Sequence, residues 1–132
     1  MRAGIAGLTI GSAATCARTF TRGEVQEYIA LTRDPDPRLR IDLPVVPNVL
    51  LAGLFSQLLG MRLPGPGTNY LKQSLRFPGA AHIGDEIVAS VEVIRLRPEK
   101  ELVNLRTLCE ASGRTVCEGE ALVLVRDVGS AP

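Results

Sequence analysis

The stretch PNVLLAGLFSQLLGM, residues 47 to 61, decides the fold of this chain. Its apolar side chains fall on nearly every face of a helix, which is typical of a helix surrounded by other parts of a protein. Pro47 is tolerated in a first helical turn and Gly60 comes near the end, so we predict a helix over residues 47 to 60. The mixed residues before it, 38 to 46, predict a connection.

Four strand-like stretches follow this helix, over roughly 69 to 77, 85 to 97, 101 to 111 and 115 to 126. They are rich in Val, Leu and Ile, and one face of the second stretch carries Ile87, Ala89, Val91 and Val93. Short breaks between the stretches predict antiparallel neighbours, with a tight hairpin turn at Ser112 and Gly113. A sheet with one apolar face needs a cover, and the central helix is the only sufficiently apolar one.

The residues before the connection predict one strand and one helix. Residues 8 to 20 suit a strand and the loop that leads into it. Thr21, followed three positions later by Glu24, is a capping-box signature, and apolar residues then repeat at helical spacing to about Thr32. The helix ends before DPDP, residues 34 to 37, because each proline lacks an amide donor and disfavours helical angles in its predecessor.

Length and composition limit the possible functions. With 132 residues and 45% apolar content, the chain buries one core, and we predict one domain over residues 1 to 132. A net charge of +1 provides no electrostatic footprint for nucleic acid, and the absence of Trp weakens any base-stacking surface. The expected partners are therefore small molecules or other proteins.

The cysteines Cys16, Cys109 and Cys117 form neither a CxxC pair nor an even set, so they specify neither a zinc site nor a disulfide framework. Cys109 and Cys117 fall in predicted strands, where a small apolar side chain packs well. The start, MRAGIAGLTIGSAAT, lacks the long Leu-rich core of a secretion signal, and no apolar run reaches the roughly 20 residues that span a bilayer. We expect a soluble, cytoplasmic protein without metal, nucleotide or redox cofactor.

The block LLGMRLPGPGTNYLKQSLRFPGAAHIGDEIVASVEV, residues 58 to 93, resembles the MaoC-like (R)-specific enoyl-CoA hydratase and dehydratase family. The likeness lies in the LPGPGT turn, the SLRF strand and the IGD turn, and VNLRTLCEASGRTVCEGEALVLV continues it to residue 125. The resemblance implies an α+β hotdog fold, in which an antiparallel sheet wraps around a central apolar helix. It also implies hydration or dehydration of an acyl thioester carried by coenzyme A or a carrier protein.

The resemblance also locates the candidate catalytic residues. The family's motif resembles G-D-x-N-P-x-H, in which Asp and His jointly activate water for addition to an enoyl thioester. Here residues 33 to 39 are RDPDPRL, so Asp34 and Pro37 match, Asp36 replaces Asn, and Leu39 stands where His belongs. Asp34 is the expected base, supported by Asp36 if the two carboxylates share a proton and one pKa rises. From local sequence alone, Asp34 is instead an ordinary turn residue, because Asp before Pro is common in turns and after helices.

A second family feature is a His-Gly pair that opens the central helix, where the Gly amide hydrogen-bonds the thioester oxygen. Free amides and the helix dipole at a helix start stabilise negative charge on that oxygen. Here Pro47-Asn48 occupies this place, so Asn48 either donates its backbone amide to the thioester oxygen or serves as a helix cap. The expected substrate contacts are Pro47, Val49, Ala52, Gly53 and Arg38.

Four further polar residues have two interpretations. Arg33, Arg38 and Arg40 attract the phosphates of a coenzyme A or carrier arm, or simply face solvent on a loop. The lone His82 lies in the turn before IGD, and we interpret it as an exposed loop residue rather than a relocated catalytic one.

Three functions fit these residues. The first is an enoyl-thioester hydratase or 3-hydroxyacyl-thioester dehydratase, with Asp34 as base and the Asn48 amide as oxyanion donor. The second is a catalytically silent hotdog subunit that shapes an acyl tunnel for an active homologue. The third is thioester hydrolysis directed by Asp34 or Asp36. A homodimer or a heterodimer is expected in each case, because an open sheet leaves an edge strand for a second hotdog protein to pair with.

Overall fold

The structure reproduces the predicted order of elements. It is a computed structural model that describes residues 5–41 and 44–126; residues 1–4 of the N-terminal stretch, 42 and 43 of the predicted connection, and 127–132 lie outside the described residues. The strands are β1 (Ala13–Thr19), β2 (Thr68–Arg76), β3 (Glu86–Arg97), β4 (Leu102–Ala111) and β5 (Arg114–Val125). The helices are α1 (Arg22–Thr32) and α2 (Asn48–Met61).

The five strands form one antiparallel sheet in the order β1-β3-β4-β5-β2. The predicted hairpin turn between β4 and β5 is confirmed, since Ser112 and Gly113 have positive φ angles of 52° and 76°. The prediction that β2 and β3 are neighbours is wrong, because β2 pairs with β5 and β3 with β1. Residues 77–85 instead cross to β3, which lies beside the opposite edge strand β1, and the Ala81 carbonyl of this segment accepts from the Val46 amide at 2.7 Å.

The inner face of the sheet packs against α2. The predicted alternation along β3 is confirmed, since its inward side chains are all at 0% exposure: Ile87, Ala89, Val91 and Val93. The residues that α2 buries in the same core are Leu51, Leu54, Phe55, Leu58 and Leu59. The helix is therefore central to the apolar core, as its sequence predicts.

One face of α2 is nevertheless open, which corrects the expectation of a fully surrounded helix. Val49 is 65% exposed and Met61 72%, because a single sheet covers only one side of the helix. The neighbouring edge strand β2 exposes Tyr70 and Leu71 at 41% and 53%. Apolar surface from two elements thus remains uncovered on one side of the molecule. Within the described ranges, no helix is long and apolar enough to cross a membrane.

Helix α1 begins and ends at residues that the sequence identifies. The capping box is present, with the Glu24 amide donating to Thr21 Oγ1 at 3.2 Å and the Thr21 amide donating to Glu24 Oε1 at 3.0 Å. After Thr32 the chain turns sharply, because Arg33 adopts a left-handed conformation (φ 57°) and its amide donates to the Ile29 carbonyl at 2.7 Å. This turn directs the next residues, 34 to 37, back across the end of the helix.

Candidate active site

Asp34 lies directly after this turn and is held by two donors. The Tyr28 hydroxyl donates to Oδ2 at 2.6 Å, and the Asp36 amide donates to Oδ1 at 3.0 Å. These hydrogen bonds, that from Tyr28 first, lower the pKa of the half-buried Asp34 carboxyl group. Asp34 is therefore ionised at neutral pH and fixed in orientation, as a base that must accept a proton from water requires.

Asp36 has a separate set of donors. It caps the short 3-10 turn Pro37–Leu39, because the Arg38 amide donates to Asp36 Oδ1 at 2.9 Å. The Arg38 guanidinium also binds the carboxylate, with Nη2 2.8 Å from Oδ2, and this hydrogen bond is the largest cause of a lowered pKa at Asp36. Both carboxyl groups thus have lowered pKa values, so the expectation of a shared proton and one raised pKa is wrong.

The direction of these shifts gives a titration prediction. We expect the Asp34 and Asp36 carboxyl groups each to titrate below the ordinary aspartate value of 3.8 when followed by carbon-13 NMR. The pKa of each carboxyl group is lower in the folded than in the unfolded protein. The ionised carboxylates therefore stabilise the folded state above about pH 3.9, and this contribution is lost as the pH falls through the folded pKa. Either carboxyl titrating above about pH 5 would instead indicate a shared proton.

The arginines of this loop mostly serve the loop itself. Arg38 is bound by Asp36, and Arg40 donates from Nη2 to the Asp34 carbonyl at 2.6 Å and from Nη1 to the Asp36 carbonyl at 2.9 Å. Arg33 is exposed at the C-cap of α1. The substrate contact predicted for Arg38 stays a prediction, and a phosphate bound there would compete with Asp36.

Leu39, which stands where the resemblance places His, is a core residue. It is only 4% exposed and packs in a small cluster with Val25 and Val45, against which Tyr28 and Ile29 also pack. An isobutyl side chain in such a cluster has no proton to transfer. Residue 39 therefore packs in the apolar cluster beneath α1 and has no catalytic group.

One backbone hydrogen bond connects the loop after Asp34 to the residues that lead into α2. The Val45 amide donates to the Arg38 carbonyl at 3.2 Å, and α2 begins three residues later at Asn48. Pro47 is the N-cap, without a side-chain capping bond, so the interpretation of Asn48 as the cap is wrong. Within the described residues no acceptor binds the Asn48 and Val49 amides, which are free at the positive end of the helix dipole. The oxyanion role of the Asn48 amide stays a prediction that this geometry supports.

His82 is half-buried rather than exposed as the sequence suggested. It forms an isolated antiparallel bridge with Val45, and its amide donates to Asp85 Oδ2 at 2.9 Å. Side chains of directly paired residues lie on the same side of a ladder. His82 is therefore beside Val45 and belongs to the crossing segment that braces the start of α2.

An apolar groove separates the open face of α2 from β2. It is shallow and open to solvent, with a volume of about 640 Å³, and its lining residues are Ala52, Gly53, Ser56, Tyr70, Leu71, Lys72, Gln73 and Leu75. Of the predicted substrate contacts, Ala52 and Gly53 line this groove. Val49 is exposed one turn earlier on α2, and Pro47 is buried. Sequence reasoning missed the β2 lining, because strand alternation predicts two faces and gives no signal that the strand lies at an edge.

The groove has one polar wall. Gln73 Nε2 donates to Thr107 Oγ1 at 3.0 Å and to the Ser74 carbonyl at 2.8 Å, while the Tyr70 hydroxyl donates to Gln73 Oε1. Thr107 is 0% exposed and is the only polar residue in the buried set of the described chain. Its hydroxyl is therefore satisfied by a groove residue rather than left unpaired.

Two of the cysteines, Cys109 and Cys117, take no part in the candidate site. Cys109 and Cys117 are directly paired across β4 and β5 and fully buried, and burial raises their pKa values to about 12 and about 11. Such thiols are unreactive core residues, as the sequence predicts. Among residues 5–41 and 44–126, no group of three or more His, Cys, Asp or Glu side chains is placed to hold a metal.

Known hydratases and dehydratases are similar to this chain in sequence or in fold. No protein-family profile matches the chain. An (R)-specific enoyl-CoA hydratase from Rhodospirillum rubrum is 38% identical over 124 residues, covering 87% of this chain and 86% of that protein. The solved (R)-hydratase from Aeromonas caviae, involved in PHA biosynthesis, superposes with a TM-score of 0.83 at 38% identity, covering 90% of this chain and 98% of that one. A MaoC-like dehydratase structure from R. rubrum, at 19% identity, shares the fold with a TM-score of 0.74 and covers 91% and 94%.

Proposed function

Because this chain belongs to the MaoC-like hotdog family, we propose that it interconverts enoyl and 3-hydroxyacyl thioesters as a hydratase and dehydratase. The predicted family and its α+β hotdog fold are confirmed by these relatives. The observation that carries the proposal is the oriented Asp34 carboxylate. It lies in a loop whose Arg38 carbonyl accepts from the Val45 amide, three residues before a helix start where two amides bind no acceptor among the described residues. A base for the water proton and an oxyanion donor for the thioester oxygen are two of the groups that addition of water to an enoyl thioester uses, beside a proton source for C2.

The two groups act at opposite ends of the conjugated system. Asp34 accepts a proton from water as the water oxygen bonds to C3 of the enoyl chain, and the π electrons move toward the thioester carbonyl. The amides at the start of α2 stabilise the oxygen on which negative charge develops. The Asn48 side chain is exposed there, so the backbone can be approached, although it is more crowded than at a glycine.

The acyl chain occupies the groove between α2 and β2 in this proposal. Ala52 and Gly53 leave its floor open, and Val49 leads from the free amides toward it. Coenzyme A or a carrier-protein arm is the substrate's carrier, and the reaction needs no cofactor because water and an internal acid–base group suffice. We place the protein in the cytoplasm, where such thioesters are available.

A second hotdog chain completes the assembly in this proposal. The β2 edge exposes Tyr70 and Leu71 beside the open face of α2, and an unpaired apolar edge strand is a surface that another chain covers. The partner is a second copy or another hotdog protein. Either occupant encloses the acyl groove, whose lining on the β2 side is otherwise exposed.

Turnover of crotonyl-CoA by the purified full chain tests the proposal. We expect the conjugated enoyl absorbance to fall at a rate proportional to the protein concentration. 3-Hydroxybutyryl-CoA should accumulate at the same rate. Release of free thiol at the same rate would indicate hydrolysis instead. No change at high protein concentration would contradict the proposal.

The burial of Leu39 favours a second candidate, a catalytically silent subunit. Leu39 packs in the cluster beneath α1 and stands where the resemblance places the catalytic His, so this position has no imidazole to act on water. A silent subunit is inert alone, yet forms a stable heterodimer with a MaoC-like chain that retains the motif His. An active homodimer of the present chain excludes this role.

A further inference from the structure

The Tyr28 hydroxyl is the one side-chain donor bound to the candidate base among the described residues. It donates to Asp34 Oδ2 at 2.6 Å, while the other oxygen of the carboxylate is taken by the Asp36 backbone amide. A short hydrogen bond between a neutral hydroxyl and a carboxylate is a path along which a proton moves. The pair therefore has the two components, an acid and a base, that a hydratase requires.

The fold fixes this pair in place. Tyr28 lies on the last turns of α1, and its ring packs against the cluster that contains Val25, Leu39 and Val45. The left-handed turn at Arg33 then brings Asp34 back to the hydroxyl. Leu39, which stands where the resemblance places the catalytic His, thus belongs to the apolar cluster that supports the tyrosine ring.

On the basis of the proposed function, we infer that Tyr28 is the proton donor of the reaction and works with Asp34 in place of a histidine. Water bonds through its oxygen to C3, and one of its protons passes to Asp34. Protonation of Asp34 weakens its hold on the Tyr28 hydrogen bond, and Tyr28 gives its proton to the enolate carbon C2. The proton on Asp34 then crosses to the Tyr28 oxygen, which restores both groups and leaves one water added across the double bond.

The resting protonation states suit these roles. The hydrogen bond to Asp34 is the largest cause of a raised pKa at Tyr28, so the phenol is neutral and carries the proton to be donated. The same bond lowers the pKa of Asp34, which is therefore ionised before water is bound. A weakly basic carboxylate and a weakly acidic phenol predict slow turnover, because proton transfer is fastest between groups with pKa values near the working pH.

Replacement of the hydroxyl alone tests the inference. Tyr28→Phe keeps the ring in its cluster and removes only the proton donor, so we expect kcat for crotonyl-CoA hydration to fall about 100-fold, with KM changed less than about threefold. The control is Thr21→Ala, which removes the side-chain cap of the same helix and leaves the pair untouched. It is expected to lower Tm, whereas kcat stays within about twofold of the wild type.

The outcomes separate the inference from the function on which it rests. A wild-type chain without hydratase activity overturns both the proposed function and the role of Tyr28. An active wild type whose Tyr28→Phe variant melts normally and retains more than about a third of kcat overturns the inference alone. A loss of kcat in Thr21→Ala equal to that in Tyr28→Phe also overturns it, since Tyr28 would then act only by holding α1 in place.

Discussion

Gly119→Ala is expected to destabilise the protein by about 3 kcal/mol, or to prevent folding. A Cβ at residue 119 would lie 1.8 Å from the Ser74 carbonyl oxygen and 2.7 Å from the carbonyl carbon. Both are backbone atoms of β2, where Leu75 pairs with Gly119, so they cannot move aside without breaking the β2–β5 ladder. The free energy of unfolding, measured in urea by circular dichroism, checks this expectation.

Gly60→Ala is the matched control for this substitution. Gly60 lies inside α2, and a Cβ there meets nothing within 4 Å. Alanine is a better helix former than glycine, so this variant is expected to gain about 0.5 to 1 kcal/mol. A Gly119→Ala protein as stable as the wild type would show that β2 and β5 do not approach as closely as the structure places them.

Asp34→Asn is expected to lower kcat for crotonyl-CoA hydration about 1,000-fold, the largest effect on activity that we predict. The amide keeps the size of the side chain, and its oxygen can still accept from Tyr28, but it cannot take a proton from water. KM is expected to change less than about threefold, because the acyl groove and the start of α2 are untouched. Steady-state kinetics at saturating substrate measure both constants.

Glu118→Gln is the matched control for the loss of a carboxylate. Glu118 forms an exposed ion pair with Arg76 at 3.0 Å on the far face of the sheet, so its replacement removes a charge without reaching the site. Exposed pairs contribute little stability, and kcat should stay within about twofold. An Asp34→Asn protein that retains more than about a tenth of wild-type kcat would show that another group is the base.

Much of the fold was predictable because its signals are local. The capping box of α1, the hairpin turn before β5 and the alternation along β3 each depend on residues close together in the chain. The pairing of β2 with β5 was not predictable in this way. The connection from β2 to β3 is short enough for a hairpin, and only tertiary contacts make it cross the sheet instead. The open face of α2 was missed for the same reason, since hydropathy shows which residues are apolar but not how many neighbours cover them.

The candidate site is a prediction of the resemblance, and its local hydrogen bonds were not predictable from the sequence. The resemblance located Asp34, and the change at Leu39 is visible in the sequence. The donors that set the protonation of Asp34 were not visible, because Tyr28 reaches it only through the left-handed turn at Arg33. Two neighbouring aspartates suggested a shared proton, whereas the Arg38 guanidinium supplies Asp36 with its own partner.

A crystal structure of the Asp34→Asn variant with bound crotonyl-CoA tests the central claim most directly. We expect the thioester oxygen within about 3 Å of the Asn48 or Val49 amide, with C3 facing residue 34 and the acyl chain directed toward Ala52 and Gly53. A thioester bound away from the start of α2, or with residue 34 on the opposite side of the chain from C3, would contradict the account.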